Sequence, residues 1–78
     1  MSDTKEIAQF EALAEEAYTR MYDARDRNVK DCFEDTLYNL GRALDIAEMR
    51  GLATDVVRLK KRREHIQAVY NSQFRRRT

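Results

Sequence analysis

Residues 58–65, "RLKKRREH", set five basic side chains in eight positions, and Arg75, Arg76 and Arg77 form a second basic cluster. From residue 58 to residue 77 there are eight bases and one acid, a density able to neutralise nucleic-acid phosphates. Such a grip would use Arg58, Lys60, Lys61, Arg62, Arg75, Arg76 and Arg77. Helical geometry argues the other way. At about 100° per residue the five charges from Arg58 to Arg63 wrap the helix, whereas a groove-reading helix concentrates its phosphate contacts on one side. The competing reading is a solvated helix whose charges are met by acids on a neighbour. A nuclear address shares this composition at low specificity.

Charge is unevenly divided along the chain. Residues 1–39 hold ten acids and five bases (−5), and residues 40–78 hold four acids and ten bases (+6). Either the acidic first part lies against the basic last part, in one chain or between two, or the basic half faces an external polyanion.

Catalytic candidates are few. His65 is the only histidine; it falls opposite the apolar stripe of its helix and is expected to be solvated. Cys32 is the only cysteine and stands near Asp31, Glu34 and Asp35, so it reads as a small, half-buried apolar side chain. One histidine cannot serve as base, orienting group and metal ligand together. A di-iron bundle needs Glu-x-x-His, yet the residue three before His65 is Arg62. Neither a glycine-rich phosphate loop nor a calcium loop occurs. The expectation is no enzyme, no metal and no cofactor.

Composition sets the frame for these residues. A 78-residue chain is one domain with a thin stability margin, and a single cysteine offers no internal disulfide. With no proline, two glycines and 37% charged residues, the chain reads as all-α. Its apolar runs are too short to span a membrane, and the polar start "MSDTKEIAQ" lacks the apolar core of a signal peptide. A lone thiol fits a reducing cytosol, so the expected location is cytoplasmic.

Three helices are predicted, over about 4–25, 29–50 and 55–74, with a tail at 75–78. Ser2 or Asp3 can cap the first, whose stripe is Ile7, Phe10, Ala14, Ala17, Met21 and Ala24. The stripe then slips by one position and resumes at Val29, Phe33, Thr36, Leu40, Leu44 and Ala47. Either the helix breaks between Arg25 and Asn28, with Asn28 as cap, or one long helix rotates its apolar face. Gly51 closes the second helix, and Thr54 is the expected cap of the third. The third stripe, Val56, Leu59, Arg63, Ile66, Tyr70 and Phe74, contains one charge. Buried alone, Arg63 calls for a carboxylate, from Asp23, Glu16 or Asp45 or from a partner protein. Alternatively, Lys60 and Arg63, which flank the seam, lay their stems over apolar surface and extend their charged tips outward. The fold expected is a small antiparallel three-helix bundle, or a long two-helix hairpin, in either case open to completion by dimerisation.

The segment "LYNLGRAL", followed by a helix containing Ala53 and Val57, is similar to the start of a tetratricopeptide repeat. Leu37, Leu40, Gly41 and Leu44 would stand at that motif's large, large, small and large packing positions. The chain departs from it at Glu48, where the repeat has its turn glycine, and has no closing proline and no second copy. What the likeness leaves is Gly41 as a close-packing point between helices.

The second helix carries another apolar patch opposite its main stripe, formed by Tyr38, Ile46 and Met49 with Arg42 at its rim. A helix that is apolar on two sides needs two partners, in the same chain or in a second one. The expected function is therefore a protein-interaction module, a small adaptor or regulatory subunit, acting as a homodimer and docking through Tyr38, Arg42, Ile46 and Met49. The alternative is nucleic-acid binding by the last helix and tail.

Overall fold

The computed structural model describes residues 2–24 and 26–74, with side chains from 4 to 24 and from 28 to 74. Helix α1 spans Ser2–Asp23, α2 spans Asp26–Met49 and α3 spans Ala53–Val69. A π-helical turn, Tyr70–Phe74, extends α3. Among the described residues there is no strand. The arrangement is a three-helix bundle of about 40 × 18 × 13 Å.

The slipped stripe marks a real break. The chain bends at Ala24 and turns back, so that Met21 of α1 and Val29 of α2 enter one buried cluster. In a continuous helix those residues would sit about 12 Å apart along the axis. Helix α2 starts at Asp26, so Asn28 lies inside its first turn and is not the cap. The cap expected of Ser2 or Asp3 falls on side chains outside the described residues.

The α2–α3 corner follows the sequence more closely. Gly51 has φ +67°, its N–H donates to the Glu48 carbonyl at 3.2 Å, and the Leu52 N–H donates to Ala47 at 2.9 Å. This pair of bonds satisfies the last carbonyls of α2, and Leu52 folds back against the core. Because Leu52 already occupies the cap position, α3 starts one residue before Thr54, which lies within the helix. No side chain caps α3. Asp55 sits in its first turn, where a negative charge suits the helix dipole.

Helix α2 is the centre of the bundle. Its Leu40, Ala43, Leu44 and Ala47 are buried with Ile7 and Ala14 of α1 and with Leu59 and Ile66 of α3. Thr36 is fully buried, and its hydroxyl donates to the Cys32 carbonyl at 2.8 Å. The backbones of α1 and α2 run closely together, α3 packs on α2, and α3 reaches α1 through long side chains.

The π turn has a packing reason. Continued as an α-helix, Phe74 would sit about 40° past Tyr70, away from Ile66. The wider turn rotates it back, and Phe74 becomes buried beside Met21 and Val29. Phe33 stacks on Tyr70 with ring centroids 3.9 Å apart, and Tyr22 meets Phe74 edge-on at 5.1 Å.

Gly41 is not a close-packing point: a β-carbon built there meets nothing within 4 Å. The small position of the repeat-like segment thus has no steric cause here. Gly41→Ala is expected to raise stability by about 0.5–1 kcal/mol, the usual helix-interior gain. Gly51→Ala is expected to lower it by about 1 kcal/mol, because φ is positive there. Urea denaturation of the two variants checks both signs.

Candidate interaction surfaces

The basic helix is partly neutralised inside the chain. Glu11 and Glu15 stand one turn apart on the side of α1 that faces α3, and Arg58 and Arg62 repeat that spacing on α3. Arg58 donates to Glu11 and, at 2.7 Å, to Asp55 of its own helix. Arg62 forms a two-pronged pair with Glu15, from Nε at 2.7 Å and from Nη2 at 2.6 Å. Its guanidinium also lies over the Tyr18 ring, 5.1 Å from the centroid. The hydrogen bonds that the guanidiniums donate to these carboxylates hold both arginine pKa values above their ordinary range. Part of the charge division in the sequence is thus an intramolecular match between α1 and α3.

Lys60 and Lys61 remain exposed, and among the described residues neither enters an ion pair. Arg75, Arg76 and Arg77 lie outside the described residues. Arg63 departs from the carboxylate expectation. It is half-buried, yet among the described residues neither Asp23, Glu16, Asp45 nor any other acid pairs with it. Its long stem can cover apolar surface while the guanidinium stays in water, so the seam position needs no carboxylate.

The outward patch on α2 divides. Tyr38 is 64% exposed and Met49 is 81% exposed. Arg42 is exposed and lies over the Phe10 ring at 5.5 Å. Ile46 is turned inward, half-buried against the main core, so it forms the edge of the patch and not its centre. Both α1 and α3 pack around the main stripe of α2, leaving the opposite side uncovered. The sequence reading missed Asp45, which shares this outward face; its spacing of three from Arg42 was the available signal. It also missed an open hollow at the start of α3, lined by Ala53, Thr54, Val57, Arg58 and Lys61. Val57 is 53% exposed there.

His65 is exposed, and Cys32 is half-buried against the second apolar cluster, both as expected. Among the described residues no group of His, Cys, Asp and Glu is placed to hold a metal ion. No described helix is long and apolar enough to cross a membrane. No protein-family model, curated protein or solved structure matches the chain.

Two stability measurements test the α1–α3 contact. A double-mutant cycle with Glu15→Ala and Arg62→Ala should give a coupling of about 0.5–1 kcal/mol, as expected for a half-exposed bidentate pair. That coupling should shrink in high salt. The second test is alkaline. Burial, and then the hydroxyl of Tyr22 at 3.0 Å, push the Tyr18 pKa up to about 12 from 10.0. The folded state thus favours the neutral phenol. Its contribution is complete below pH 10 and is lost as pH rises through about 12. Denaturation midpoints measured across that window should fall, and the Tyr18→Phe variant should fall less.

Proposed function

We propose that the chain is a non-catalytic protein-interaction module, a small adaptor or regulatory subunit that docks through the outward face of α2. The observation that carries this reading is the exposure of Tyr38 and Met49 on a helix whose opposite side is fully occupied. Aromatic and methionine side chains are enriched at protein interfaces, and Arg42 supplies a cation at the rim. The half-buried thiol of Cys32 suits a reducing cytosol as the place of action.

The nucleic-acid reading draws on the exposed Lys60 and Lys61 and on the basic residues beyond 74. It is the weaker of the two, because Arg58 and Arg62 spend their donors on Glu11, Asp55 and Glu15.

The docking reading is tested with Tyr38→Asp and Met49→Asp, two exposed positions where substitution should leave the helices intact. Partners captured by the immobilised wild-type chain should bind each variant at least about tenfold more weakly, as expected for an interface anchor. Unchanged capture by both variants sinks the reading. In parallel, fluorescence anisotropy with duplex DNA and short RNA at about 50 and 200 mM salt should show no binding at the higher salt. Micromolar binding that persists there and falls in a Lys60→Ala/Lys61→Ala variant would put nucleic-acid recognition in its place.

A further inference from the structure

The outward face of α2 has an internal symmetry. Tyr38, Arg42, Asp45 and Met49 are spaced four, three and four residues apart, and at about 100° per residue they share a sector of about 60°. All four are exposed. This is the alternating spacing of a coiled-coil seam, here about 16 Å long. The order of side chains reads apolar, basic, acidic, apolar. Reversed, it reads apolar, acidic, basic, apolar. A second copy of the same stripe laid antiparallel on the first therefore meets it with a complement at every level.

We propose that this face binds a second copy of the chain, with the two α2 helices antiparallel about a two-fold axis between residues 43 and 44. Tyr38 then packs on Met49 of the other copy at each end, a thioether-on-aromatic contact. Arg42 pairs with Asp45 of the other copy at the centre, twice. Alternating seam positions meet in the same layer when helices run antiparallel, so both pairings fall in register together. Parallel pairing would set Arg42 against Arg42 and Asp45 against Asp45, which selects direction as well as register.

The monomer leaves these charges available. Among the described residues neither Arg42 nor Asp45 enters an ion pair, and Arg42 is held only over Phe10. The seam is one helix wide, so the interface belongs at the low end of specific interfaces and the dimer should be micromolar. Isologous contact of this kind closes at two chains. The inference rests on the docking reading above and names its occupant.

The test is a charge-swap series followed by sedimentation equilibrium from about 5 to about 500 μM, a span suited to a small interface. Wild-type protein should approach twice the 9.3 kDa chain mass. Arg42→Asp and Asp45→Arg should each weaken self-association by at least about tenfold, since each sets like charges together. Mixed together, those two variants should form a heterodimer, because each brings the charge the other lacks. The double variant Arg42→Asp/Asp45→Arg should dimerise with itself, within about threefold of wild type. Circular dichroism should show unchanged helix content throughout. Wild-type protein that stays at monomer mass, or a dimer indifferent to both reversals, overturns the proposal. If wild type is monomeric while Tyr38→Asp still abolishes capture of another protein, docking stands and only the second copy falls.

Discussion

Helix α2 has to be covered along the stripe from Val29 to Ala47, and the rest of the molecule is arranged around that requirement. A chain of this size has neither a disulfide nor a described metal site to hold it, so apolar burial must do so. Helix α1 turns back through a short connection at Ala24 and covers one flank. Helix α3 follows the Gly51 corner and covers the other. The aromatic end of the bundle closes only because the π turn brings Phe74 round to Met21 and Val29. The ion pairs between α1 and α3 come after this packing. Half-exposed pairs contribute too little to drive the fold, but Glu11 and Glu15 give α3 a preferred height along α1.

Covering that stripe also decides which surfaces remain. Both flanking helices use the same side of α2, and the side bearing Tyr38 and Met49 is left to solvent. On α3, the arginines nearest α1 are engaged, while Lys60 and Lys61 face outward. The chain thus presents two exteriors of different character. One is an apolar-ended stripe with opposite charges at its centre; the other is a basic face whose strongest donors are already occupied.

Much of this was legible in the residues. Apolar spacing gave three helices, the one-position slip marked the break near residue 25, and Gly51 closed α2 as a left-handed residue does. The misses have separate causes. Asn28 and Thr54 have cap chemistry, but helices start where packing and backbone bonds allow, and the turn bonds of Gly51 and Leu52 set the start of α3. Gly41 was read through a repeat motif, but no neighbouring atom approaches within 4 Å of a β-carbon built there, so its smallness has no steric partner. For Arg63 the spacing left open both a carboxylate partner and a stem reaching out along apolar surface, and only the packed helices decide between them. For the candidate site, Tyr38, Arg42 and Met49 could be placed from periodicity alone. Ile46 could not, because whether its flank is covered depends on how the neighbouring helices pack against α2. The pairing of Arg58 and Arg62 with α1 needed the topology as well, since 47 residues separate the partners in each case.

The close run of α1 against α2 depends on alanine. Ala14, Ala17, Ala43 and Ala47 are all completely enclosed, and small side chains let two helix backbones approach. Such a contact removes little apolar surface from water per residue ordered. The heat-capacity increase on unfolding scales with that surface, so a shallow stability curve is the expectation for this bundle. With little surface buried per residue the unfolding enthalpy is small as well, and a broad thermal transition is expected. Anything that covers the outer face of α2 adds the larger side chains that the alanine contact leaves out, and so sharpens the melt.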